Sequence, residues 1–90
     1  MSESHWHIII HRKAEKVLKR MDGDTLDRLR NAIRNLANEP RPVGVKKLAG
    51  YDNLYRIRVG DWRVSYAIEE DRLIVLVLEI SQRGAAYREL

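Results

Sequence analysis

Arg56, Arg58 and Arg63 flank the dipeptide Gly60-Asp61 in the stretch Leu54-Tyr55-Arg56-Ile57-Arg58-Val59-Gly60-Asp61-Trp62-Arg63-Val64-Ser65-Tyr66. Both arms alternate between apolar and polar residues, and a two-residue turn with glycine first predicts a β-hairpin. That turn pairs Val59 with Trp62, Arg58 with Arg63, Ile57 with Val64 and Arg56 with Ser65. Side chains alternate along a strand, so Tyr55, Ile57, Val64 and Tyr66 share one face and Arg56, Arg58, Arg63 and Ser65 the other. Two arginines then stand directly opposite each other, at a cost of about 0.2–1 kcal/mol that a bound anion would remove. The expectation is a fixed anion site. The spacing alone does not separate RNA from a nucleotide, a phosphoprotein or an acidic peptide.

The last apolar run adds to this face under one condition. Glu79, Ser81 and Arg83 are its polar positions, and they join the arginines if the turn at Glu70 holds an odd number of residues; an even turn presents the strand's other side. Glu79 is then a possible acidic partner for the cluster. Lys46-Lys47-Leu48 offers a basic pair beside an apolar anchor in the preceding loop. His5, His7 and His11 fall on one face of the first strand with Ile9, which reads as a solvated or partner-facing edge rather than a metal site. No glycine-rich phosphate loop, paired catalytic carboxylates or serine triad is visible.

The elements that must position these residues follow from periodicity. Trp6 to His11 is a β-branched run and reads as a first strand. From Lys13 the spacing turns helical, with Ala14, Val17, Leu18 and Met21 on one stripe. Asp22-Gly23-Asp24 breaks that helix, and Asp24 is the expected N-cap of a second one, whose stripe is Leu26, Leu29, Ile33, Leu36 and Ala37 and whose end is Asn38-Glu39-Pro40. Arg28, Arg30 and Arg34 point outward and read as a solvated face. Residues 40–53 form an ordered loop. After the hairpin and the turn Glu69-Glu70-Asp71, the run Leu73 to Leu78 is apolar throughout and predicts a strand in the middle of the sheet, covered on both faces. Gly84 to Leu90 reads as a frayed or final helical turn. The fold class is α+β: an N-terminal strand, an αα-hairpin and a three-stranded antiparallel meander, forming one small sheet packed by the helices.

Ninety residues support a single core, hence one domain over 1–90. The chain is 33% charged with a net charge of +4, and the excess is largely arginine, which favours polyanionic partners. With no cysteine there is neither a disulfide framework nor a thiolate nucleophile, in keeping with a reducing cytosol. Ile8-Ile9-Ile10 is too short for a signal peptide or a membrane span, so no membrane association is expected.

The hairpin with its arginines, followed by Gln82-Arg83 and Tyr87-Arg88, resembles the RelE branch of the RelE/ParE toxin superfamily. The element order and Lys46-Lys47-Leu48 match as well. The resemblance implies a toxin of a type II toxin–antitoxin pair that enters the ribosomal A site. There it would cleave messenger RNA by driving a 2′-hydroxyl onto the adjacent phosphate, with no metal or other cofactor. It implies catalytic positions at Arg56, Arg58, Arg63, Arg83 and Tyr87, RNA or ribosome contacts at Lys46, Lys47 and Arg88, and a cognate antitoxin as partner. Guanidiniums suit the charge that develops on the phosphorane. They are poor proton acceptors, so a general base, if one is needed, falls to Tyr87, which could equally stack on a base or pack the tail. Arg56 and Arg58 stand where some relatives carry lysine, and Gln82 where histidine is common; both favour slow or electrostatic catalysis. The alternative is a ParE-like DNA gyrase inhibitor, a binding function on the same fold, and a third reading is an RNA-binding module without catalysis.

Overall fold

The computed structural model describes residues 6–82 and contains two helices and five strands. Strand β1 is His7–Ile10, helix α1 Arg12–Lys19, helix α2 Gly23–Asn35, strand β2 Lys46–Lys47, strand β3 Leu54–Val59, strand β4 Trp62–Glu69 and strand β5 Ile74–Gln82. They form one sheet in the order β1-β5-β4-β3-β2, parallel between β1 and β5 and antiparallel elsewhere. The α+β class, the αα-hairpin and the three-stranded meander are as the sequence leads one to expect. The short strand β2, inside the segment read as a loop, is the added element.

The sheet has a covered side and a helix-free side. Ala14 and Leu18 of α1, Leu29 and Ile33 of α2 and Leu36 just beyond it pack with Tyr55, Ile57, Val64, Tyr66, Ile68, Val75, Val77 and Ile80 of the sheet. This is the one core among the described residues. Strand β5 lies between β1 and β4, so it is interior as expected, but only its helix side is sealed: Val75 and Val77 are fully buried while Ile74, Leu76 and Leu78 are half-buried. No described helix is long and apolar enough to cross a membrane.

Three local expectations need correction. His11 does not continue the first strand; it is the N-cap of α1, its Nδ1 accepting from the Lys13 amide at 3.0 Å. His7 and Ile9 stay on the helix-free side, and His5 lies outside the described residues. Helix α2 begins at Gly23 rather than after an Asp24 cap, with Asp22 at the cap position making no side-chain cap bond. Gly23 takes φ 73, a left-handed backbone that glycine adopts at little cost, and this swings the chain from α1 into α2. Asp24 instead lies in the first turn, where its carboxylate complements the helix dipole.

The third correction concerns parity. Glu69 pairs with Ile74, leaving residues 70–73 as an even turn, which by itself would face Leu78 and Ile80 toward the arginines. A β-bulge intervenes. Tyr66 pairs with Val77 but Ser65 with Glu79, so one extra residue of β5 is absorbed between them and the alternation inverts. Glu79 and Ser81 therefore reach the arginine side by the bulge rather than by the turn. Arg83 and Gly84 to Leu90 lie outside the described residues.

One aromatic assembly fastens the segment after α2 to the sheet. The buried Tyr66 hydroxyl donates to the Pro40 carbonyl at 2.8 Å, and the Tyr55 and Tyr66 rings stack at 6.1 Å. Arg41 lies over the Tyr55 ring at 5.2 Å, donates through Nε to its hydroxyl at 3.3 Å and pairs with Glu70 at 2.8 Å. Burial pushes the Tyr66 phenol well above its ordinary value, against a smaller lowering by Arg41. The folded chain thus holds the Tyr66 proton more tightly than the unfolded chain does. Stability is whole below the unfolded value of 10.0 and falls as pH rises past it. Tyr66→Phe leaves the Pro40 carbonyl without its donor; denaturant titration at neutral pH is expected to show a loss of about 1–3 kcal/mol, with a shallower decline above pH 10 than in the parent.

Candidate nucleic-acid interface

The hairpin register is as read from the turn: Val59 pairs with Trp62, Arg58 with Arg63, Ile57 with Val64 and Arg56 with Ser65. Gly60 has φ 64, the left-handed conformation that the first central position of this turn requires. Two further pairings extend the hairpin into rows. Lys46 of β2 pairs with Arg56, and Ser65 of β4 with Glu79, so Lys46, Arg56, Ser65 and Glu79 run across four strands on the helix-free side. The neighbouring row is Arg58, Arg63 and Ser81. Directly opposed residues hold their Cβ atoms about 4.5–5.5 Å apart, which places four cations within side-chain reach of one another.

The cations differ in setting. Arg63, near the centre of the sheet, is 9% exposed, Arg56 is half-buried, and Arg58 and Lys46 are exposed. Neither ion pair among the described residues, Arg41 with Glu70 and Arg72 with Glu69, includes Arg56, Arg58, Lys46 or Glu79. The pairing of Glu79 with the arginines that the sequence allowed is thus not formed: it reaches the row but stays exposed. A groove of about 550 Å³ runs along this edge, lined by Val43, Gly44, Val45, Lys46, Arg56, Ile57 and Arg58. It is open, and basic at Lys46, Arg56 and Arg58.

Lys47 does not join Lys46. It pairs with Tyr55, whose side chain faces the helices, and so lies on the other side of the edge strand. Arg83, Tyr87 and Arg88 fall outside the described residues. Arg41 was not singled out in the sequence, yet its clamp on Tyr55 and Glu70 anchors the segment that carries Lys46. Its ion-pair partner lies 29 residues away, so no local pattern signals it. Arg28, read as a solvated residue of α2, has its guanidinium about a van der Waals contact from the position a Cβ would take on Gly60, at 3.7 Å. It borders a separate groove of about 330 Å³ with Thr25, Trp62 and Gln82.

Residues 8–87 match the family model described as ParE toxin of type II toxin–antitoxin system, parDE. The chain is similar to a putative toxin RelE1 of Methanocaldococcus jannaschii, 33% identical over 92% of this chain and 96% of that protein. It is 30% identical to a toxin RelE of Mycobacterium tuberculosis, over 98% of this chain and 93% of the relative. Among solved structures, the archaeal RelE–RelB complex from Pyrococcus horikoshii OT3 superposes with a TM-score of 0.79 at 29% identity, covering 89% of this chain and 97% of that one. The isolated E. coli RelE toxin has a TM-score of 0.77 at 19% identity over 94% of both chains, a likeness of fold.

The like-charge opposition of Arg58 and Arg63 yields a test that needs no RNA. Arg58→Thr, which keeps a good strand former at an exposed position, is expected to raise the unfolding free energy by about 0.2–1 kcal/mol. Added sulfate or phosphate should raise the melting temperature of the parent more than that of the variant, as followed by thermal denaturation in matched ionic strength.

Proposed function

The chain belongs to the RelE/ParE superfamily as a RelE-family toxin of a type II toxin–antitoxin system, and we propose that it is an endoribonuclease that cleaves messenger RNA on the ribosome. The observation that carries this reading is the pair of cross-strand rows that gathers Lys46, Arg56, Arg58 and Arg63 on the helix-free side of the sheet. A 2′-hydroxyl attacking in line on its own 3′-phosphate forms a phosphorane. The 2′-hydroxyl gives up its proton as its oxygen bonds to phosphorus, and the 5′-oxygen takes one up as its own bond to phosphorus breaks, so the products are a 2′,3′-cyclic phosphate and a 5′-hydroxyl. Negative charge grows on the non-bridging oxygens during this step, and guanidiniums already held in place stabilise it without reorganising. No metal is required by that scheme. In this proposal Arg83 and Tyr87 complete the catalytic set, and Lys47 and Arg88 contact RNA or ribosome around it.

The ribosome supplies what a flat, open basic face lacks, namely a substrate fixed with the 2′-oxygen in line with the scissile bond. Free RNA is accordingly a poor substrate. The antitoxin belongs to the same proposal: the similar chains from Pyrococcus horikoshii and Methanococcus jannaschii were solved as RelE–RelB complexes, which supports a cognate antitoxin here. An acidic, partly disordered partner would suit the basic and apolar surfaces. The site of action is then the cytoplasm.

The ParE description of the matching family model favours one second reading, inhibition of DNA gyrase by binding. A gyrase inhibitor makes no use of clustered arginines aimed at a phosphorane, and on that ground cleavage is preferred. Adding the protein to translating ribosomes and mapping message ends by primer extension should reveal cuts at codon-defined positions. Arg58→Ala is expected to slow cleavage by about 100-fold with folding unchanged, and Arg83→Ala by a comparable factor. Intact message together with trapped gyrase–DNA complexes would replace this reading with the second. Efficient cutting of naked RNA would remove the ribosome from it.

A further inference from the structure

Helix α1 carries Arg12, Lys13, Lys16 and Lys19, with Arg20 at its C-cap, and all five are exposed. At 100° per residue these cations fall within an arc of about 120°, spread over about 12 Å of helix axis. Ala14, Val17, Leu18 and Met21 occupy the opposite arc and pack into or against the core. Glu15 is the one acid in the helix and lies beside the arc, not within it. Neither ion pair among the described residues involves α1. Because the helices cover the side of the sheet opposite the arginine rows, this stripe faces away from Arg56, Arg58 and Arg63.

Local helix physics argues against several of these choices. Arg12 with Lys16 and Lys16 with Arg20 are like charges at a spacing of four, and Lys13 with Lys16 and Lys16 with Lys19 at a spacing of three. Arg12 and Lys13 also oppose the dipole in the first turn, although Lys16 and Lys19 suit the last. Glu15 offsets part of this, standing three residues from Arg12 and four from Lys19, but four like-charge spacings outnumber those two, and an exposed arc so rich in cations points to a partner outside the fold.

We infer that the outer face of α1 is a second nucleic-acid contact, docking on the phosphate backbone of a folded, double-helical RNA. The composition of the arc selects this occupant. A protein partner needs apolar anchors at the centre of its footprint, and the arc has none. Single-stranded RNA is held by stacking on aromatic rings, also lacking from the arc. A membrane-surface helix must offer an apolar face to lipid, and that of α1 is spent on the core. Closely spaced cations without anchors suit a regular row of phosphates read without regard to sequence. The identity of that RNA as ribosomal rests on the function proposed above; the backbone chemistry rests on α1 alone. The protein would then be held from its helical side while its arginine side meets the message.

The test is binding of the free chain to a blunt RNA duplex of about 16 base pairs, followed by fluorescence anisotropy across a salt series. Changing Arg12, Lys16, Lys19 and Arg20 together to Gln retains helix propensity, and circular dichroism with a melting curve verifies folding. Affinity at moderate salt is expected to fall about 10-fold or more. The slope of log affinity against log salt should flatten by roughly 3 to 4. The same differences should persist when both proteins also carry Arg56→Ala and Arg58→Ala, which isolates α1 from the arginine rows. Unchanged affinity and slope in a folded variant would overturn the inference. So would retained duplex binding with loss of binding to polyglutamate, since the stripe would then serve an acidic polypeptide. Message cleavage is not read in this assay, so failure of the nuclease proposal and failure of this one are separate outcomes.

Discussion

Register across β3, β4 and β5 is the constraint on which the basic face depends. A strand has two sides and a period of two, so a slip of one residue would bury Arg56, Arg58 and Arg63 against Leu18 and Leu29 and expose Ile57 and Val64. Two devices prevent that slip. The Gly60-Asp61 turn locks β3 to β4, and the bulge beside Ser65 and Tyr66 locks β4 to β5 with one residue to spare. The bulge lies next to the row that contains Arg56. It divides β5 into a lower half whose helix-free side carries Ile74 and Leu76 and an upper half that presents Glu79 and Ser81. An apolar floor and a polar, cation-rich end thus coexist on one sheet surface.

The hairpin was fully legible because its information is local: a glycine of the right turn type, strict alternation on either side, and no competing periodicity. The helices were legible for the same reason, with their ends displaced by a residue or two where Gly23 and His11 took roles that composition does not announce. What was not legible is non-local. The inversion of β5 comes from a bulge in the middle of two strands whose residues give no sign of it, and the turn that seemed to decide the matter does not. Strand β2 is two residues long and is a strand only because β3 offers it an edge. Its consequence for the site is large, since pairing splits the adjacent Lys46 and Lys47 between opposite sides of the sheet.

The tyrosine pair illustrates how support for the site is built from residues outside it. Tyr55 and Tyr66 are core residues by alternation, yet their hydroxyls reach the edge of the core and meet Arg41 and Pro40. The segment leaving α2 is thereby tied down at its first residues, and the chain that follows is delivered along β3. Arg41 is a cation with a structural task, and it should not be counted with those that face an anion. Sorting the basic residues in this way leaves two distinct clusters, one across strands and one along a helix, with different geometry and different exposure.

The strand order has a meaning for how the molecule comes into being. Strand β5 is the last described element to be synthesised, yet it lies between β1, the first, and β4. Before Ile74–Gln82 is available, β1 has no neighbour in the sheet, α1 lacks the strand it packs on most, and the rows at Ser65 and Arg63 end at an open edge. Closure waits on contacts between opposite ends of the chain, the kind that form slowly and all together. A growing chain of this topology can pair its hairpin early, but the rows gain Glu79 and Ser81, and the sheet its closure onto β1, only with β5.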